Sequence, residues 1–430
     1  MAEKPADRKL IRFIIILIIL NLIAIVLLSL RDYAVEKEND IPAVTETVSP
    51  SEAPEEPQPE AVPESATLMF GGDVLFHESV FSQAKTGRIT YDFRPYFQLF
   101  KDVFTADYNC INLETPIDSF GDNDNICGYP CFNAPHEILD GIKEMNIQLC
   151  SNSNNHTLDT GYRGLVITKN FIKEAGFDTL GTYTSPEEHD AMFIKVINGI
   201  KIGFCAFTQS TNGNILRDEL EAYAVDRMRE SADEACEDIL PRVRALRSAG
   251  AEAVVVILHW GTEYDTEPSE HQLRTAQLLC EGGADIIIGS HSHVVQPIEM
   301  LKVTRADGSQ KKCLVVYSLG NLFCNQNTNK TQTQRGMVTA VRFTRDDSGK
   351  VVLSDAFYMP TLLYKTGGKG ADFIRLVPAG CCMGGNAPEM PDPEDFEDCC
   401  SFAYENVVAA AGDAIPAVTD PAHYPEGFFA

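Results

Sequence analysis

The chain has 430 residues and a formal net charge of −27, with 62 acidic against 35 basic side chains. Such an excess of negative charge excludes nucleic acid or an anionic lipid surface as the main partner, because both would be repelled. The length suffices for one large domain or two ordinary ones, each able to bury a core.

Residues 1–10 carry Lys4, Arg8 and Lys9 and read as a short cytoplasmic N-terminus. The run from Ile11 to Leu30 follows, in which Arg12 is the only charge and Asn21 the only amide. At about 1.5 Å per residue it is long enough for a hydrocarbon core of about 30 Å. Basic residues before the span and an acidic stretch after Arg31 predict a signal-anchor helix over 11–30, with everything beyond it extracytoplasmic. The apolar run is long for a cleaved signal peptide, and no A-x-A site follows it. Residues 31–66 are rich in Glu, Pro, Ser and Ala and poor in large apolar side chains. They cannot offset the entropy of ordering and read as a disordered acidic tether.

From residue 67 to 377 one arrangement recurs: a short β-branched run ends on a polar residue that could hold metal or phosphate. Thr67 to Phe70 leads to Gly71-Gly72-Asp73, Tyr108 to Leu113 to Glu114, and Ile147 to Cys150 to Asn155-His156. Ala253 to Leu258 ends at His259, Asp285 to Ile288 leads to His291 and His293, and Leu314 to Tyr317 leads to Asn321. Stretches of helical period lie between them: His136 to Met145, Tyr162 to Ala175, Asp218 to Ser248 and Ser269 to Glu281. Alternating strands and helices predict an α/β domain with buried sheets. Ligands of such sheets collect beyond the carboxyl ends of the strands, so these strand ends predict one composite site.

The last segment, 378–430, reads as a Cys-rich acidic tail, with Glu389 to Asp398 as a solvated stretch. Thirteen cysteines fit an oxidising location, with Cys127 and Cys131, and Cys381, Cys382, Cys399 and Cys400, as candidate bridging sets. The pairing cannot be read from sequence. Zinc at the last four stays open, although adjacent cysteines lack the usual C-x₂-C spacing.

His291 and His293, two apart on a loop leaving a strand, can turn toward one centre, and neutral imidazole suits zinc, manganese or iron. His259 by itself reads as a satisfied core histidine, Asp73 or Glu114 as a turn or cap residue, and the SNSNNH stretch as a polar helix-capping loop. Together, two carboxylates, an amide, the histidines and Asn321 suit two divalent cations, which clamp a phosphoryl group and activate water. An imidazole outside that shell would protonate the leaving oxygen.

The stretches FGGDVLF, INLETPI, SNNHTLDTG, LHWGTEY, GSHSHVVQP and YSLGNLF, in this order over about Thr67 to Arg375, resemble the CapA (poly-γ-glutamate capsule synthesis) family of the calcineurin-like metallophosphatase superfamily. The resemblance implies a four-layer sandwich of two central sheets flanked by helices. It implies Asp73, Glu114 (the bridging position), Asn155, His259, His291 and His293 as ligands of two metal ions, whether Mn, Fe or Zn. It makes His156 the proton donor or transition-state stabiliser, with Asp159 orienting it. The superfamily's His two residues after the first Asp is here Leu75, for which His77 is a candidate substitute. Asn321 is a further accessory candidate, and the bridging carboxylate is the longer Glu.

Three functional readings follow. The first is a metal-dependent hydrolase or transferase acting on an envelope polymer such as poly-γ-glutamate, or on a phosphoester. The second is a non-catalytic component of a capsule synthesis or export complex, with membrane proteins of that machinery as partners. The third is a secreted-type metallophosphatase.

Overall fold

The computed structural model describes residues 65–117, 125–326, 330–366, 373–383 and 387–429. The chain divides into a unit of Met1–Ala61 and a unit of Val62–Ala430. The signal-anchor span at 11–30 and the tether as far as residue 64 lie outside the described residues. Among the described residues, no helix is long and apolar enough to cross a membrane. Ser65 and Ala66, read with the tether, already belong to the first strand.

One group of strands comprises β1 (Ser65–Leu75), β2 (Tyr108–Leu113), β3 (Leu149–Ser151), β4 (Asp178–Leu180), β11 (Asn321–Cys324), β12 (Arg335–Arg345), β13 (Val351–Thr366) and β14 (Phe373–Pro378). Among the described residues they form an eight-stranded sheet in the order β14-β13-β12-β1-β2-β3-β4, with β11 beside β1. The other group is β5 (Ile194–Ile197), β6 (Ile200–Thr208), β7 (Ala253–His259), β8 (Ile286–Ser290), β9 (Ile298–Thr304) and β10 (Gln310–Val316). These form a six-stranded sheet in the order β5-β6-β7-β8-β10-β9. Both sheets are mixed: β1 to β4 and β6-β7-β8-β10 run parallel, while β12-β13-β14, β5 and β9 are antiparallel to their neighbours.

The continuous apolar runs are explained by burial on both faces. Along β7, Val255 and Ile257 pack between the sheets with Phe70, Tyr108 and Phe204. Val254, Val256 and Leu258 point the other way, against Ile239, Val243 and Leu246 of helix α3 (Ala232–Ser248) and Leu279 of helix α4 (Glu270–Gly282). The outer face of the first sheet packs Met69 and Ile111 on Ile138 and Ile142 of helix α1 (Ile138–Lys143) and Ile172 of helix α2 (Gly161–Glu174). The layers are therefore helix, sheet, sheet, helix, in the order that the family resemblance implies.

Helix α4 starts where the sequence places it, because Ser269 and Gln272 form a reciprocal capping box. The helical stretch read over 218–248 is instead broken. A turn at Asp218–Glu221 is followed by a segment whose Val225 and Arg227 bridge to Thr182 and Thr208, and α3 begins only after its cap, Ser231. Apolar Ala224, Val225 and Met228 fit helical spacing but are buried by this edge pairing instead.

The segment after residue 378 does not stand apart as a tail. Helix α5 (Pro393–Ala411) packs Phe396, Cys400, Ala403, Val407 and Ala411, spaced three or four apart, onto β12 and β13. Ala417 bridges Tyr358, and Phe428 enters the outer core. The acidic residues cap the helix: Asp392 accepts from the Asp395 N–H, and Pro393 takes the first turn. Acidic composition concealed that buried stripe.

Glycine is required at Gly72, where a Cβ would lie 1.9 Å from Gly320 O. Gly72→Ala should therefore displace Asp73 and lower thermal stability, overpacking of this kind costing about 1–3 kcal/mol or more. Thermal unfolding of the variant checks this, and an unchanged midpoint would contradict the close approach.

Candidate metal centre

Strand register delivers the polar residues. Asp73 pairs with Asn112 on β2 and with Asn321 on β11, so three strand ends meet there. On the facing sheet, His259 ends β7 opposite Ser290 of β8, and the GSHSH loop leaves from that point. Gly289 lets this loop lie against β10, since a Cβ there would lie 1.9 Å from Tyr317 O. His291 and His293 adopt φ of 100° and 59°, a region costly for residues with a side chain. Such conformations persist where surrounding contacts over-determine them, as at ligand clamps.

Two donor groups result, and Glu114 belongs to both: Glu114, His259 and His291 in one, and Asp73, Glu114 and His293 in the other. In the first, His259 Nε2 is 2.9 Å from Asn155 Oδ1, 3.0 Å from His291 Nδ1 and 3.5 Å from Glu114 Oε1. His259 Nδ1 lies 3.0 Å from Ser290 Oγ. In the second, His293 Nδ1 lies 3.3 Å from Asp73 Oδ2, and Nε2 lies 3.9 Å from Glu114 Oε1.

These residues fit bound metal cations. An imidazole nitrogen carries at most one proton, yet three donor atoms crowd the same side of His259 Nε2. Glu114 Oε1, central to both groups, is buried and makes no hydrogen bond among the described residues. Unpaired buried carboxylate oxygen is costly, and a cation removes that cost.

The charges agree. Burial alone would raise Asp73, but hydrogen bonding to His293 and the nearby His293 and His259 hold its carboxyl below the usual range. The Asp73 carboxylate also accepts from Asn112 Nδ2 at 2.7 Å and from the His291 N–H at 3.2 Å. Glu114 moves the other way: burial first, then the charge of Asp73, push it well above the ordinary value. Two carboxylates so close cannot both ionise without a counter-charge, so Glu114 keeps a proton that metal binding would displace. Burial drives His259 well below its usual value and His291 down to about 4, leaving both rings neutral, the form that ligates.

His156 stands outside both groups. Its Nδ1 is 2.8 Å from Asp159 Oδ2, which also accepts from the Phe132 N–H at 2.8 Å. With Nδ1 so engaged, the ring faces a cavity of about 250 Å³, which it lines with Phe132 and His293. Asn321 acts through His293, its Oδ1 3.0 Å from Nδ1 and its Nδ2 donating to Thr333 O at 2.8 Å. Leu75, with only 1 % of its surface exposed, occupies the cavity wall. His77 lines the same cavity but joins neither donor group; its Nδ1 lies 3.7 Å from Cys324 Sγ.

Sequence reasoning passed over three residues. Glu263 and Tyr264, within the LHWGTEY stretch, also line the cavity, and Glu263 acts on the charge of His291 and His293. Their signal was a second ionisable side chain four residues after His259. Asn212 Nδ2 lies 3.4 Å from His156 Nδ1, on a loop that carried no motif.

A family model described as "Bacterial capsule synthesis protein PGA_cap" matches residues 67–326. The chain is 27% identical over 238 residues to the PGA biosynthesis protein CapA of Bacillus subtilis (strain 168), over 55% of this chain and 58% of that one. It is 25% identical over 293 residues to the capsule biosynthesis protein CapA of Bacillus anthracis, over 67% of this chain and 66% of that one. The chain thus spans less than two thirds of the length of either relative. Among solved structures it is similar to the Haemophilus influenzae NAD nucleotidase, at TM-score 0.41 and 11% identity, covering 83% of this chain and 64% of that one. With the family model covering more than half of the sequence, including every strand end that builds the metal centre, the chain belongs to the bacterial capsule synthesis protein PGA_cap family.

Proposed function

We propose that the chain is a metal-dependent hydrolase or transferase that cuts or transfers a bond of a capsule polymer, poly-γ-glutamate, or of a phosphoester precursor. The observation that carries this reading is Glu114 shared between two donor groups, with the Asp159-held His156 beside them. Asp73, Glu114, Asn155, His259, His291 and His293 would hold two divalent cations. Carboxylate, amide and imidazole donors suit Mn, Fe or Zn. When bound, such ions polarise an acyl or phosphoryl oxygen and supply a nucleophilic water. The protein's own groups do the rest. Asp159 fixes the tautomer and tilt of His156, so that His156 can hand a proton to the leaving atom in the cavity. Buried Leu75 and Phe132 form an apolar stretch of the cavity wall that keeps water from it.

The family relation, the apolar run at 11–30 and its flanking charges support placement at the cell membrane, with the catalytic domain outside and capsule-synthesis membrane proteins as partners. Full-length protein loaded with Mn, Fe or Zn, incubated with poly-γ-glutamate and with phosphoesters, tests the reading. Release of glutamate or phosphate by the wild type, lost in His291→Ala, is expected. Equal release by both would refute it.

A second reading, a non-catalytic capsule component, is favoured by one observation: buried Leu75 stands where a further imidazole ligand is expected. Leu75→His should tighten the position formed by Asp73, Glu114 and His293. The expected result is a second equivalent of metal surviving dialysis that the wild type loses, measured by elemental analysis. Should the variant hold no more metal than the wild type, residue 75 is irrelevant to ligation.

A further inference from the structure

The turn after β14 and one face of α5 bring cysteines together far from the metal centre in sequence. Cys381 Sγ lies 4.0 Å from Cys382 Sγ and 4.0 Å from Cys400 Sγ, and the three sulfurs lie within 4.8 Å of one another. All thirteen cysteines are free thiols, so neither candidate bridging set of the sequence is cross-linked. Cys399 points elsewhere, its Sγ 3.9 Å from Asp395 Oδ2. Gly380 permits the arrangement, since a Cβ there would lie 2.5 Å from Thr419 O. The Cys381 N–H donates to Pro378 O at 3.2 Å and closes the turn.

Three converging sulfurs suit a cation better than a covalent bridge. A disulfide joins two sulfurs at about 2.05 Å and would leave the third thiol unused. Zinc takes thiolates at about 2.3 Å, so the edges of its tetrahedron are roughly 3.8 Å, close to both 4.0 Å separations. Leu362, Val377, Met390 and Phe396 cluster with the sulfurs on their buried side. A cavity of about 270 Å³ beside Cys381 leaves room for a water as fourth ligand.

We propose that Cys381, Cys382 and Cys400 bind a soft divalent cation, zinc foremost, and thereby staple helix α5 to the end of β14. The site is separate from the His-carboxylate centre and does not depend on what that centre does.

Cobalt titration of full-length, chelator-stripped, reduced protein tests this, because cobalt bound to thiolate absorbs strongly by charge transfer in the near ultraviolet. Glu114→Gln, which takes the shared carboxylate from both donor groups, removes the competing centre and should keep the band at one equivalent. In that background, Cys400→Ser, and separately the half-buried Cys382→Ser, should lose it and weaken zinc binding by more than about 100-fold. Far-ultraviolet circular dichroism establishes that each variant folds, and the wild-type band is a reading that needs no cysteine variant. The proposal is overturned by a wild type that binds cobalt without the thiolate band. A band that survives both serine variants overturns it too, as does peptide mapping that finds Cys381 joined to Cys400 in the unreduced protein.

Discussion

Glu114→Gln is expected to abolish metal binding at both donor groups while leaving the metal-free protein as stable as the wild type. Burial and the Asp73 charge keep Glu114 protonated in the absence of metal, and glutamine is the neutral isostere of that form. The core therefore loses little. With metal present the two proteins should diverge, because the variant lacks the one carboxylate that belongs to both donor groups, which include His259 and His291 in one and Asp73 and His293 in the other. At free metal 100-fold above its Kd, the wild type gains about 2.7 kcal/mol of stability by mass action, and the variant gains almost none. Thermal unfolding with and without metal, paired with elemental analysis, reads both effects. If Glu114→Gln retains two ions per chain, Glu114 does not bridge. If its metal-free form melts far below the wild type, Glu114 is ionised and paired in the native fold.

His156→Ala separates chemistry from metal binding. The residue lies outside both donor groups, and its ring is held by Asp159 and packs edge-on against Phe132, centroids 4.7 Å apart. Metal content should stay at the wild-type level while kcat falls by about 10²–10⁴, the usual worth of a positioned general acid. Asp159→Asn should reproduce part of that loss with KM little changed, since the amide can present an N–H to His156 Nδ1 and favour the wrong tautomer. It also weakens the bond from the Phe132 N–H, which holds the cavity wall. Steady-state kinetics on whichever polymer or phosphoester proves active give the test. A His156→Ala protein with full kcat would leave this ring without a chemical role.

The candidate donors were legible because each lies near the carboxyl end of an apolar strand, where a polar side chain has few reasons to be except to meet a ligand. His259 after a run buried on both faces is the plainest instance. The tail was misread for a related reason. Acidic residues on the exposed side of α5 dominate its composition, whereas its packing depends only on Phe396, Cys400, Ala403, Val407 and Ala411. The break before Ser231 was hidden because Ala224, Val225 and Met228 satisfy helical spacing equally well.

By itself the sequence determined the alternation of strands and helices, the order of the motifs and the identity of the candidate donors, all of which are local properties of the chain. Only the tertiary structure decided that Glu114 sits in both donor groups, that Leu75 lies in the wall of the cavity, and that His77 turns toward Cys324. It also decided that Glu263 reaches the same cavity and that three of the last four cysteines converge. The physical reason is that periodicity along a chain reports which face of a strand is buried. The distance between residues on two different sheets is set instead by strand register, by the glycine contacts at Gly72 and Gly289, and by how the inner faces of the sheets pack on each other.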